Sequence, residues 1–134
     1  MIYLLDTNTC IKYLGNSNVK IVAKLSALHP DDVGLCSVVK SELYFGAYKS
    51  SKQSENLAVL HQFFQQFVSL PFDDNAAVIG GQIRADLATK GTPIGPNDLL
   101  IAAIALANDV TLVTHNTREF GRVSGLRLED WESA

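Results

Sequence analysis

The stretch Ile2-Tyr3-Leu4-Leu5-Asp6-Thr7-Asn8 decides how the rest of the chain reads. Apolar residues run without polar alternation into a carboxylate, and a threonine and an asparagine follow it. Such a run matches a strand of a parallel sheet covered on both faces. Its last residue then emerges at the carboxyl edge of the sheet, where open α/β folds place their ligands. The remaining question is whether other acids of the chain arrive at the same edge as Asp6.

The 134 residues suffice for one domain with a sizeable core. With 47% apolar and 19% charged residues, the composition is that of an ordinary folded protein. The formal net charge of −3 has the wrong sign for holding nucleic acid by phosphate neutralisation alone. A polyanionic substrate would need local help from bound cations or a basic patch. Cys10 and Cys36 form no C-x-x-C pair and no histidine stands at metal-ligand spacing. Neither a zinc site nor a disulfide framework follows, and the two read as buried, reduced thiols. The first apolar run lacks a basic flank and stops at Asp6, and the longest, residues 99–107, is far short of the ~20 residues of a membrane span. A soluble, cytoplasmic protein without membrane association is expected.

Along the chain, a short helix over 9–14 is closed by Gly15-Asn16, and a second over 19–28 ends at His29-Pro30. Residues 33–36 read as a strand. Ser37 is placed as the cap of a helix over 38–48, and a further helix over 55–67 carries Leu57, Leu60, Phe64 and Phe67 at helical spacing. The excess of apolar residues there, Phe63 included, fits core better than partner surface. Residues 68–72 are extended, and Asp73-Asp74 open a helix to about residue 89. Gly80 and Gly81 inside it cost about 1 kcal/mol each unless something approaches closely, so close packing is expected there. The loop 91–96 delivers Asn97-Asp98 to an apolar helix over 99–107. A strand over 110–114, a helical turn within 117–123, an edge strand over 126–128 and a tail at Asp130-Trp131 complete the chain. Strands alternate with helices throughout. The fold class is therefore a three-layer α/β/α sandwich with a mostly parallel central sheet, residues 1–134 forming one domain.

Several acids lie in apolar surroundings. Asp6 ends a buried strand, although a strand-end aspartate often does no more than cap the next helix. Glu42 shares a helical face with Val38 and Phe45 and is expected to point inward, where it must be ion-paired, protonated or bound to a cation. A salt bridge to Lys40 or Lys49 is the plain alternative. Asp98 sits in the first turn of its helix, where the dipole favours a carboxylate, on the face of Ile101, Ala102 and Ala105. Asn116 ends the strand 110–114, and Glu119 follows it. Carboxylates converging on one edge repel one another unless a divalent cation joins them. Oxygen-only ligands suit Mg²⁺ or Mn²⁺, and with no Ser, His or Cys constellation nearby the chemistry would be the metal's.

These residues resemble the PIN-domain ribonucleases and, within them, the VapC toxins of prokaryotic toxin–antitoxin pairs. The matching blocks are Leu4-Leu5-Asp6-Thr7-Asn8, then Ser41-Glu42-Leu43 with Gly46, then Ile94-Gly95-Pro96-Asn97-Asp98-Leu99-Leu100-Ile101-Ala102-Ala103, and Leu112-Val113-Thr114-His115-Asn116-Thr117-Arg118-Glu119-Phe120. The closing Gly125-Leu126-Arg127-Leu128-Glu129-Asp130-Trp131 looks like the subgroup that cuts initiator tRNA in its anticodon loop.

The resemblance implies a PIN-like nuclease domain and a metal-dependent endoribonuclease acting as a toxin. Asp6, Glu42 and Asp98 would be acidic metal ligands, with Thr7, Asn8 and Thr114 orienting water or phosphate. Position 116 departs from the pattern, with asparagine where many members carry a fourth aspartate. Either Glu119 supplies the missing charge to the metal set that Asn116 joins, acting through a water, which is the preferred reading, or the site holds only one tightly bound metal; Arg118 is read as a phosphate contact. The resemblance further implies a homodimer and a VapB-like antitoxin that blocks the site.

Other classes stay open on the residues alone. A phosphotransferase would use Asp6 as nucleophile, but the usual second acid two residues on is Asn8 here. A metal-dependent phosphohydrolase or DNA nuclease would use the same carboxylates. A non-catalytic interaction domain would have no reason to gather them.

Overall fold

The computed structural model describes residues 1–133. Strand β1 (Tyr3–Leu5) is followed by α1 (Thr7–Leu14) and α2 (Val19–Ala27). A single 3₁₀ turn then leads into β2 (Val33–Cys36), α3 (Ser37–Lys49), α4 (Gln53–Gln65) and β3 (Val68–Leu70). The second half runs α5 (Asp74–Lys90), α6 (Pro96–Ala107), β4 (Thr111–Val113), α7 (Thr117–Phe120) and β5 (Leu128–Glu129).

The five strands are all parallel, in the order β3-β2-β1-β4-β5. Tyr3 stands opposite both Val33 and Thr111, and Leu5 opposite Val113, so the carboxyl ends of β1 and β4 lie side by side. From β1 the chain steps to β2 and β3, then returns across the sheet to β4 and steps on to β5. Right-handed crossovers therefore put α1 to α4 on one face and α5 to α7 on the other, giving the α/β/α sandwich. Where the winding reverses, between β1 and β4, the helices diverge and leave a crevice at the carboxyl edge.

The short strands are buried because both faces are covered. Leu4, Leu5, Val33, Leu35, Leu112 and Val113 have essentially no exposed surface, and Ile101, Ala102, Ala103, Ile104 and Ala105 make α6 almost wholly internal. Phe63 and Phe64 join this core, as expected. Trp131 is buried, edge-on to Tyr3 with ring centroids 5.4 Å apart, so the C-terminal segment is part of the packing and not a loose tail. Cys10 and Cys36 are buried free thiols.

Four sequence expectations change. Ser37 is the first residue of α3, and its cap is Cys36, which makes no side-chain bond. The inward stripe of α3 is Val39, Leu43 and Ala47, whereas Phe45 is 68% exposed. Glu42 is thus beside the apolar stripe and not within it. Close packing holds at Gly80, where an added Cβ would stand 3.5 Å from the Ala103 Cβ, but not at Gly81, which has open space. The last strand starts two residues late, at Leu128, because its bonds are set by the ends of β4: Leu112 N–H donates to Arg127 O and Thr114 N–H to Glu129 O.

Candidate active site

Asp6 leaves β1 at the reversal point and is 6% exposed. Its backbone N–H donates to Val113 O, locking it to β4, and its Oδ1 accepts from Thr9 N–H at 2.9 Å. Asp6 is therefore the N-cap of α1, which consumes one carboxylate oxygen and fixes the plane of the group. The plain capping role and the functional one are compatible, since a carboxylate has lone pairs to spare.

Glu42 reaches the same crevice from the second turn of α3. Its Oε1 accepts from Thr7 Oγ1 at 2.8 Å, and among the described residues no lysine pairs with it. Lys40 donates instead to Ser69 Oγ, and Lys49 lies over the Phe45 ring. The salt-bridge alternative for Glu42 falls with these contacts.

Asp98 enters from the first turn of α6, which Pro96 opens and which has no side-chain cap. The helix dipole at this position favours a charged carboxylate. Nevertheless the Asp98 carboxyl is pushed up to about 6, first by burial and then by the nearby charges of Glu119, Glu42 and Asp6. Desolvation and like charge outweigh the dipole here, and the same shift shows that the four acids share one electrostatic neighbourhood.

A cavity of about 90 Å³ sits in this crevice, lined by Asp6, Thr7, Asn8, Glu42, Asp98, Asn116 and Phe120. Asn116 follows β4 as expected, and its backbone N–H donates to Thr114 Oγ1 at 3.0 Å. Thr114 is itself buried, so its hydroxyl holds the turn that carries Asn116 and does not face the cavity. Asn116 Nδ2 donates to Glu119 Oε2 at 2.8 Å, which places Glu119 behind the cavity wall. Arg118 is exposed and outside the lining. Phe120, fully buried, supplies the apolar floor; in the sequence, an aromatic residue after a helical turn reads as ordinary core.

The donor set is oxygen only, from carboxylates and an amide, on a desolvated floor. That is what a hard divalent cation takes. Three separate elements carry the acids, and no lysine or arginine neutralises them in any ion pair among the described residues. A bound cation would relieve the repulsion that raises Asp98.

No histidine stands at metal-ligand spacing in the sequence, yet the fold brings His115 together with Asp130 and Glu132. It is the one His, Cys, Asp or Glu triplet among the described residues whose ligand atoms lie within 4.8 Å of one another. His115 Nδ1 is 3.0 Å from Asp130 Oδ2 and Lys12 Nζ pairs with Glu132 Oε1, while Glu132 Oε2 is buried without a hydrogen-bond partner among the described residues. The acids of the cavity stand further apart than this triplet, as uncompensated anions do.

Residues 3–126 match the PIN domain family model. The tRNA(fMet)-specific endonuclease VapC of Salmonella typhimurium is 43% identical over 129 residues, covering 96% of this chain and 97% of that one. Ribonuclease VapC2 of Rickettsia felis is 36% identical over 138 residues, covering 98% and 99%. The crystal structure of DNA-bound VapBC from Salmonella typhimurium superposes with a TM-score of 0.92 at 42% identity, covering 98% of both chains. The family match includes Asp6, Glu42, Asp98 and Asn116. The chain belongs to the PIN-domain family and, within it, to the VapC ribonucleases.

Proposed function

We propose that the protein is a divalent-metal-dependent endoribonuclease, the toxin of a toxin–antitoxin pair, that cleaves tRNA and specifically initiator tRNA in its anticodon loop. The whole chain acts as one nuclease domain. Asp6, Glu42 and Asp98 hold Mg²⁺, with Mn²⁺ able to substitute, and Asn116 contributes its amide oxygen. When bound, the metal activates a water and offsets charge on the phosphoryl group in flight. The chain's own residues do the rest. Thr9 N–H and Thr7 Oγ1 each occupy one oxygen of Asp6 and Glu42, leaving the second oxygen of each carboxylate for the metal. Asn116 holds Glu119 within reach of a bound water, and Glu119 makes up the charge that an aspartate at position 116 would bring. Thr7 and Asn8, on the cavity wall, orient the substrate phosphate, and the buried Phe120 floor limits water to the mouth.

The observation that carries this reading is the crowding of four acids at the reversal point of the sheet, with Asp98 raised to about 6. The choice of tRNA is supported by the 43% identity to the Salmonella enzyme, whose name specifies tRNA(fMet). A VapB-like antitoxin partner is supported by the likeness to a VapBC assembly, and a homodimer follows the same family pattern. Among the described residues no helix is long and apolar enough to cross a membrane, and a tRNA substrate implies an activity in the cytoplasm.

The test is incubation of the purified protein with total tRNA, with Mg²⁺ and with a chelator. Fragments of initiator tRNA are expected with metal only, and none from Asp98→Asn. Cleavage that persists in chelator, or in the variant, would overturn the metal assignment.

A further inference from the structure

The cavity at the carboxylates takes one phosphate and no more, so the rest of an RNA substrate must lie elsewhere on a surface whose charge sum is −3. An open groove of about 550 Å³ lies between α3 and α4, lined by Ser37, Lys40, Ser41, Tyr44, Tyr48 and His61. We propose that this groove is a subsite for single-stranded RNA adjoining the cleavage site. Bases stack on Tyr44, Tyr48 and His61, and Lys40 with the two serine hydroxyls holds the backbone. The assignment rests on the ribonuclease reading above.

Position is the first argument. Ser37 opens α3 directly after β2, the neighbour of β1, so the groove begins on the same carboxyl edge of the sheet as the active site. Glu42 leaves α3 from a different face than Ser37, Lys40, Ser41, Tyr44 and Tyr48, so one helix carries both the site and the groove without the two sharing a residue. From Ser37 to Tyr48 the helix runs about 16 Å, enough for a few nucleotides.

Chemistry is the second. Tyr48 is 60% exposed, and His61 is exposed across the groove on α4. Tyr44 is half-buried between them, fixed edge-on against Phe64 at 5.3 Å, so it forms a rigid floor. Its ring centroid is 6.4 Å from Tyr48 and 6.2 Å from His61. Aromatic faces of this kind take any base, and base–aromatic stacking is the main sequence-tolerant contact that single strands make. A duplex could not use them, since its bases are already stacked.

Charge is the third. Lys12, Lys24, Lys90 and Arg127 are each spent on a carboxylate. Lys40 has no such partner among the described residues. Its ammonium donates to Ser69 Oγ at 2.9 Å and stands 5.2 Å from the Phe64 ring centre, held along the groove wall with its charge uncompensated. A fixed cation in a groove of an otherwise net-negative surface is what draws a phosphate chain there.

The experiment measures fluorescence anisotropy of a labelled anticodon stem–loop RNA with the full-length protein in chelator, and its cleavage with Mg²⁺, for Tyr48→Ala, His61→Ala and Lys40→Gln. Tyr48 and His61 are exposed, so both variants keep the fold. Each is expected to weaken binding about tenfold, the loss of one stacked base, while the metal-induced rise in Tm stays at the parental value. Lys40→Gln should lower the slope of log K against log salt by about 0.7, one phosphate contact on a single strand. If the parent binds the RNA and the variants bind as well as it does, the groove assignment falls and the ribonuclease reading stands. If the parent binds no RNA, both fall. A changed oligomeric state in gel filtration with RNA binding retained would show the groove to be a protein contact and overturn the proposal.

Discussion

Thr7 Oγ1 donates a 2.8 Å hydrogen bond to Glu42 Oε1, joining the first residue of α1 to the second turn of α3 across 35 positions of sequence. The bond explains how a half-buried glutamate with no cationic partner keeps one orientation. It also leaves Oε2 free to face the cavity, and it ties Glu42 to the residue directly after Asp6.

Removing that donor tests whether the orientation of Glu42 matters. Thr7→Val keeps the shape but leaves Glu42 Oε1 without its hydroxyl, which should cost about 1 kcal/mol of stability. Cleavage should fall about tenfold or more, because a misplaced carboxylate holds metal poorly. Thr7→Ser should restore most of both. Equal cleavage by the parent and Thr7→Val, measured on tRNA at saturating Mg²⁺, would show that Glu42 needs no positioning.

Asp98 gives a pH dependence with a definite sign. Its carboxyl titrates near 6 in the folded protein against 3.8 as its ordinary value, so the native state holds the proton more tightly than the unfolded chain. Metal-free stability from this group is therefore fully present below about pH 4 and is lost as pH rises through 6. Asp98→Asn removes the penalty. In chelator its Tm should exceed the parent's at pH 8, by about 3–5 °C if screening at this half-exposed site reduces the gain to about 1 kcal/mol. Near pH 4 the two should melt together. A lower Tm for the variant at pH 8 would make Asp98 a structural group.

The Asn116 amide has a measurable task. The Nδ2 group donates to Glu119 Oε2 at 2.8 Å, so it lowers the repulsion in the metal-free site. Asn116→Asp replaces that donor by a fifth charge. Without metal the variant should lose about 1 kcal/mol above pH 6. With Mg²⁺ it should bind about tenfold more tightly, because a carboxylate is a stronger ligand than an amide. Unchanged Mg²⁺ affinity by isothermal titration calorimetry would show that position 116 does not face the cation.

Metal should stabilise the parent by mass action. At a free concentration of 100 times Kd the gain is about 2.7 kcal/mol, equivalent to a rise in Tm of about 8–14 °C for a chain of this size. The rise should be greater at pH 8 than at pH 5, because protonated Asp98 must give up its proton before it can bind a cation. A Tm insensitive to millimolar Mg²⁺ and Mn²⁺ would count against the site.

The elements were readable wherever a periodic pattern was strong. The all-apolar β1, the capped α5 with its Asp73 cap and the core helix α6 come out within a few residues of their expected bounds. Asp6 and Asn116 are legible because each follows an apolar strand, which ends at the sheet's edge, and Asp98 because a Gly- and Pro-rich loop delivers it to the first turn of an apolar helix. Glu42 was placed for a partly mistaken reason. The sequence put it on an inward face with Phe45, whereas the buried stripe is Val39, Leu43 and Ala47. Phe45 is exposed, and apolar character alone does not say which of two neighbouring helical stripes meets the core.

The sequence by itself determined the alternation of strands and helices, the buried β1 that ends in Asp6, and which acids were out of place. Those properties are local, fixed by side-chain period and by caps within a few residues. Only the tertiary structure decided that Asp6, Glu42, Asp98 and Glu119 share one field, that Thr7 rather than a lysine satisfies Glu42, and that Thr114 supports Asn116 from below. It likewise brought His115 to Asp130 and Glu132, and Tyr44 and Tyr48 to His61. Such pairings depend on strand order and helix rotation, which are set by packing across the whole sheet and leave no trace at a fixed spacing in the chain.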